Sequence, residues 1–512
     1  MVRLLSCSTT VPSYWGACGA VIFATFLCCT AANAEENVRG EIDALRREIQ
    51  KLQRTRDAQQ QRIDALEEQL RKLERKAAEA TANEALERAV REAQPQPSTA
   101  SAPAPIWGGT VAGMPLRLLD LSFDAMVAGG WSTATDNELE GGLQAGGHDP
   151  IRRGFTLQQG EISLIGAVDP YFTGEAHILT TTHGVELEEA FLTTTSLPYG
   201  LQAEAGYMLT EYGLLNPLHP HAWDWIDQPV ILSRLLGPEG LRSPGVRVGW
   251  LTPLPWFSEL HFGAQNANEG EFTPSFLSAD AVGGRPGVRT STRSFGDLLY
   301  LLRWENFWNL TPHVGFKFGS NLLHGPNSTG SDGETWIYGL DFKLRWRPEN
   351  NFRGWPFFLW QTEVHKRDYT ASHFLPAQTE SSAQALRLHP RHSGGDEPPG
   401  DSGLPTEPIA EDILRDAGFY TQALYGFRYG WATGVRLEYA SGRGQSLGGR
   451  ASDPLRSDRW RVSPLLVWHP TEYSRLRLQY NYDRTPFLSD KDAHTVWLGA
   501  EILYGRHPAH KY

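Results

Sequence analysis

The chain lacks what a disulfide-stabilised secreted domain would need. Its four cysteines, Cys7, Cys18, Cys28 and Cys29, all lie in the first 29 residues. That stretch has the form of a signal peptide: Arg3 supplies the positive end, GAVIFATFLCC (Gly19 to Cys29) the apolar stretch, and Ala32-Asn33-Ala34 the cleavage site. Cleavage there leaves a mature protein that begins near Glu35 and carries no thiol. An exported chain of this length must then gain stability without cross-links, and a closed β-barrel in an outer membrane is one structure that does so.

Long apolar runs are also missing after the signal, and the mean hydropathy is −0.39. Helical membrane spans are thereby excluded, whereas membrane strands are not, because they alternate lipid-facing and lumen-facing residues. Lysine is scarce. Of the 47 basic and 59 acidic residues, 14 and 14 precede Trp107, which leaves 33 and 45 from there on. Only five of those 33 are lysines, Lys317, Lys343, Lys366, Lys491 and Lys511, so nucleic-acid binding has no electrostatic footprint.

What is present changes period twice. From Val38 to Ala80 apolar residues recur at steps of four and three, with Ile42, Ile49, Ile63 and Leu70 at a and Leu45, Leu52, Leu66 and Leu73 at d. This predicts a coiled coil within residues 35–94, interrupted at Arg56 and Gln59. Residues 95–106, rich in Pro, Ser and Ala, read as an extended linker. A barrel domain is expected over residues 107–512, and from about Leu119 the period becomes two. In the clearest case Trp336, Tyr338, Leu340, Phe342, Leu344 and Trp346 share one face, and Asp341, Lys343 and Arg345 the other. About sixteen such segments are expected between residues 119 and 504, joined alternately by short turns and longer loops. An even count puts both termini on the periplasmic side. Register assigns Gln202, Glu204, Arg247, Asp341, Lys343, Arg345, Arg436, Glu438, Arg475, Arg477 and Gln479 to the lumen. Glu189 breaks the alternation of its strand, which predicts a bulge or a protein-facing patch there.

The connection from Thr210 to Pro244 is where a barrel could fold a loop inward. It carries His219, His221, Trp223, Asp224 and Asp227, expected to form the constriction. Pro220 holds His219 extended, so that His219 and His221 can project together, and Asp224 could complete a zinc-like donor set. No resident cofactor is otherwise implied, and no spacing of Ser, His and acid marks a catalytic centre, so an enzyme is not expected.

Signal, heptads, linker and alternating strands, with segments such as GEISLIGAVDPYFTGEAHI (Gly160 to Ile178) and GVELEEAFL (Gly184 to Leu192), resemble the phosphate-selective-porin-like family and its coiled-coil-bearing relatives. That resemblance implies a homotrimeric outer-membrane diffusion channel in contact with lipid. The acid excess of the barrel argues against phosphate as the solute and for small hydrophilic solutes or ions. Two alternatives stay open: a zinc-related uptake protein, and an envelope anchor whose coiled coil meets periplasmic or cell-wall partners.

Overall fold

The period-two pattern is carried out strand by strand in the computed structural model, which describes residues 108–111, 114–117, 119–182, 184–278, 282–376, 408–444 and 456–505. The expected signal peptide and coiled coil lie outside the described residues. A two-stranded hairpin, β1 (Gly108–Val111) and β2 (Met114–Arg117), comes first. The barrel strands are β3 (Leu119–Ser132), β4 (Gly154–Ala167), β5 (Phe172–Thr181), β6 (Gly184–Thr194), β7 (Leu201–Leu209), β8 (Arg242–Leu251), β9 (Phe257–Asn266) and β10 (Leu298–Thr311). They continue as β11 (Val314–Pro326), β12 (Glu334–Trp346), β13 (Phe357–Ala371), β14 (Asp412–Arg428), β15 (Trp431–Arg443), β16 (Arg459–Thr471), β17 (Ser474–Arg484) and β18 (Asp492–Gly505). Each pairs antiparallel with its neighbour in sequence, and β18 closes on β3 from Thr495↔Ser132 to Gly505↔Ser122. The expectation of about sixteen antiparallel strands is met by sixteen.

Closure leaves no strand edge, and it sorts the side chains into two environments. Along β12 Thr335, Ile337 and Asp341 point inward and are buried, whereas Tyr338 and Leu340 face out. Outward residues such as Leu121, Trp304, Val435, Leu478 and Leu498 make a continuous apolar exterior. Aromatic residues collect towards both ends of it, Trp131 and Trp460 at one, Trp250, Trp468 and Tyr504 at the other. The second end carries the short turns, for example Tyr429-Gly430, where Gly430 adopts φ 77° so that the chain reverses in two residues. The barrel's first strand starts and its last strand ends at that same end.

Two bulges break the alternation on neighbouring strand pairs. The register shifts between Met126 and Val127 opposite Gln159 and Leu157, so Gln158 is the additional residue, and both glutamines are buried. It shifts again between His177 and Ile178 opposite Glu189 and Leu187, which makes Glu188 the additional residue. The irregularity expected at Glu189 is this bulge, and its effect is to bury two consecutive carboxylates.

Candidate constriction in the barrel lumen

The link between β7 and β8, residues 210–241, cannot continue the sheet, because Pro217, Pro220, Pro229 and Pro238 remove ladder donors along it. It folds instead against the inner wall. A short buried helix, Val230–Leu236, starts after Pro229 and stops at Gly237, whose φ is 98°. The loop is then held at three places around the wall.

The first is on β11 and β13. The Gly213 N–H donates to Asn321 Oδ1 at 3.0 Å, the Leu215 N–H donates to Glu363 Oε1 at 3.1 Å, and the Tyr212 hydroxyl lies 3.0 Å from His365 Nδ1. The backbone passes so close that a Cβ on Gly213, itself at φ +70°, would sit 2.1 Å from Glu363 Oε2. Opposite Tyr212, Gly339 leaves room for the phenol, whose oxygen would lie 2.5 Å from an added Cβ.

The second place is on β15, β16 and β17. Asp227 is fully buried and pairs with Arg436, with Arg461 Nη1 at 2.9 Å, and with the side-chain amides of Gln479 and Asn481, both at 2.7 Å. Burial alone would raise its carboxyl, but Arg436 and Arg461 hold it below the ordinary carboxylate range. Guanidinium groups also hold the loop backbone: Arg475 donates to the carbonyls of His221 at 2.6 Å and Trp223 at 2.9 Å, and Arg477 to that of Trp225 at 3.0 Å. Glu438 accepts from the Val230 N–H at 2.7 Å, at the start of the helix.

The third place is on β4, β5 and β6, where the loop meets carboxylates. His219 Nε2 lies 2.6 Å from Glu189 Oε2, and its Nδ1 lies 3.1 Å from Glu161 Oε2 and 3.2 Å from Glu188 Oε2. His221 Nδ1 is 3.0 Å from the same Glu161 oxygen. Burial by itself would lower the His219 imidazole; Glu188 and Glu161 outweigh it and hold the ring well above its usual value.

Between these places the lumen is filled by apolar side chains. Leu215, Trp223, Ile231, Leu232, Leu235 and Leu241 pack with Phe276 and Leu277 of the next long loop and with the wall residues Leu299, Leu323 and Ile337. Each fully buried aliphatic side chain contributes about 1.5–3 kcal/mol, so the apolar core, with the ion pairs, is a large part of what seats the loop. Ser275 adds a hydroxyl donated to the Leu235 carbonyl at 2.5 Å. Below the loop, on the short-turn side, a cavity of about 740 Å3 remains, with Lys317, Lys343, Arg345 and Arg347 facing Glu305 and Asp224.

The residues that the register assigned to the lumen have partners that differ from a solute-facing ladder. Arg436, Arg475, Arg477, Glu438 and Gln479 serve the loop. Arg247 pairs with Glu204 at 2.8 Å, and Asp341 with Arg303 at 3.0 Å. Lys343 and Arg345 line the cavity, and Gln202 is exposed on the face of Glu204 towards the short turns. Of the proposed zinc donors, His219 and His221 stand together with ring centroids 5.6 Å apart. Asp224 instead lines the cavity, where burial raises its carboxyl against the opposing pull of Lys343, Arg475 and Arg477. Sequence reading did not find Glu161, His177 and Glu188; the consecutive acids Glu188 and Glu189 inside an alternating strand were the available signal.

No family model matches the chain. It is similar to an uncharacterised protein of Aquifex aeolicus (strain VF5), at 29% identity over 353 residues, which cover 68% of each chain. Among solved structures it is similar to the outer membrane channel DcaP of Acinetobacter baumannii, with a TM-score of 0.45 and 10% identity over 75% of this chain and 97% of that one. It is also similar to the anion-selective porin from Comamonas acidovorans, with a TM-score of 0.41 and 8% identity over 76% and 99%.

Proposed function

We propose that the protein is an outer-membrane channel for small hydrophilic solutes or ions, in which residues 210–241 set the narrowest level. The observation that carries this is the inward loop inside a closed sixteen-strand barrel with an apolar exterior and a charged interior. An exterior of that kind is stable in lipid and not in water. The acid excess makes the channel unselective or mildly cation-preferring, and buried wall arginines such as Arg436, Arg461 and Arg475 do not reverse this because they are already paired. The resemblance to the phosphate-selective-porin-like family is therefore carried over as architecture and not as solute.

Planar-bilayer recording tests the reading. Deleting His219 to Asp227 should raise single-channel conductance, and the reversal potential should show a weak cation preference that shrinks above ~0.1 M salt, where the Debye length is about 10 Å. A strong anion preference would overturn the selectivity. Closed bilayers with both the full chain and the deletion would overturn the channel and favour the second reading, an envelope anchor, for which the apolar core of the lumen speaks. We further propose a homotrimer assembled with the help of the heptad segment. Mass measurement in mild detergent should give a trimer for the chain from Glu35 and a weakened one for a chain starting at Trp107; a monomer from Glu35 would refute it.

A further inference from the structure

We propose that the loop is clipped to the barrel wall by a divalent cation of the zinc class, bound by Glu161 of β4, His177 of β5 and His219 of the loop. Ligand atoms of these three buried residues lie within 4.8 Å of one another. They converge in a particular way: His177 Nδ1 is 3.1 Å from Glu161 Oε1, and His219 Nδ1 is 3.1 Å from Glu161 Oε2. A tetrahedral ion with bonds of about 2.1 Å holds its ligand atoms about 3.4 Å apart, so small rotations of these side chains would admit one. Glu188 Oε2, 3.2 Å from the same His219 nitrogen, is placed to be the fourth donor.

Unspent hydrogen-bonding capacity points to a missing ligand. His219 Nδ1 and Glu188 Oε2 are buried and make no hydrogen bond, although they face each other. On the adjoining strand, Asp124 stands directly opposite Glu161 in the β3–β4 register. It is 3% exposed, and neither of its carboxylate oxygens has a hydrogen-bond partner. Such groups are costly to bury unless something compensates them. Asp124, Glu161, Glu188 and Glu189 together outnumber the imidazoles of His177, His219 and His221; Arg242 comes within 3.6 Å of Glu188 but is shared with Glu186 and Glu239, and Arg475 is held by Glu501. A divalent cation supplies the absent positive charge.

The surroundings fit the class of metal. Imidazole and carboxylate donors are the borderline set that zinc and its neighbours accept. Glu189, 2.6 Å from His219 Nε2, would keep the proton on that nitrogen and free Nδ1 for the ion, the arrangement of a carboxylate–histidine–metal triad. The site differs from the sequence expectation in its donors: wall carboxylates replace Asp224, and His177 replaces His221, which stays 3.0 Å from the Glu161 oxygen that His219 also meets.

The test needs no channel activity, so its outcome is separate from that of the conductance experiments. The full mature chain in detergent is stripped with a chelator, dialysed against zinc alone, and its metal content measured by elemental analysis. One zinc per chain is expected in the wild type and in a variant in which three histidines of the sequence between β13 and β14, His373, His389 and His392, are changed to Ala to exclude binding there. Glu161→Gln and His219→Gln should each lower zinc affinity at least tenfold, and Glu189→Gln should weaken it while leaving the stoichiometry at one. Cobalt in place of zinc should give the intense visible absorption of a four- or five-coordinate site. Zinc content well below one at micromolar metal, equal affinity in the wild type and Glu161→Gln, or a six-coordinate water-like cobalt spectrum would each overturn the proposal. The cobalt spectrum decides it on the wild type alone if the variants do not fold.

Discussion

The two sides of the barrel hold the same loop with opposite chemistry. On β15 to β17 the wall is basic and the loop brings Asp227 and a row of carbonyls. On β4 to β6 the wall is acidic and the loop brings His219 and His221. The basic side accounts for nearly every donor: Asp227 alone is engaged by two guanidiniums and two amides. The acidic side leaves buried atoms without hydrogen bonds. A saturated clasp of permanently charged groups is suited to holding a structure, whereas an unsaturated clasp of imidazoles and carboxylates is open to protons and metal ions.

The sharpest way to break this contrast is to remove one residue from each side. Asp227→Ala leaves Arg436 with Glu438 alone and Arg461 with Asp483 alone, each buried guanidinium short of a carboxylate, and guanidinium cannot shed its proton to relieve the burial. Loss of a partner from a buried pair costs about 3–5 kcal/mol, so the loop should leave its seat, Trp225 fluorescence should shift as it meets water, and conductance should rise. His219→Gln in chelated protein should cost less, about 1–3 kcal/mol, because His177 and His221 still pair with Glu161 and the new amide can still donate to a carboxylate. Urea unfolding of both variants in lipid vesicles gives the order. If His219→Gln proves the more damaging in metal-free protein, the division of labour between the two clasps is wrong.

How much of this was readable beforehand divides along the same line. Alternation of Tyr338 and Leu340 with Asp341 and Lys343 repeats every two residues, and that local signal sufficed for strand number, register and the inward arginines. The inward loop was readable too, since Trp223, Trp225 and Ile226 would be an apolar patch in solvent. The partners were not. Glu161 and His219 are 58 positions apart in the chain and meet because the loop after β7 folds back onto β4, which no local pattern announces. For the same reason nothing local announced that Phe276 and Leu277 would complete the core under the loop.

The smallest effect comes from Asp149, which connects the long loop between β3 and β4 to the saturated clasp. Its Oδ1 accepts the Gln228 N–H at 2.8 Å and its Oδ2 the Gly146 N–H at 3.0 Å, beside the carboxylate of Asp227. Burial, and then Asp227, push the Asp149 carboxyl up to about 7. The sign follows from comparing states. Below about pH 4 the group is protonated both folded and unfolded, so it adds no pH dependence; between about 4 and 7 the unfolded chain loses the proton that the folded one keeps, and stability falls as pH rises. Above 7 the penalty is constant. Asp227 behaves oppositely, since its depressed carboxyl loses its contribution only in acid, below its ordinary value of 3.8. Asp149→Asn removes the ionisation but can accept only one of the two N–H groups, at a cost of about 1 kcal/mol. Urea unfolding in vesicles at pH 4 and pH 7 should therefore show the variant weaker than the wild type in acid, with the gap closing or reversing at neutral pH. A gap of the same size at both values would show that Asp149 is ionised throughout, and that the clasp around Asp227 carries one more carboxylate charge than Asp227, Glu438 and Asp483 supply.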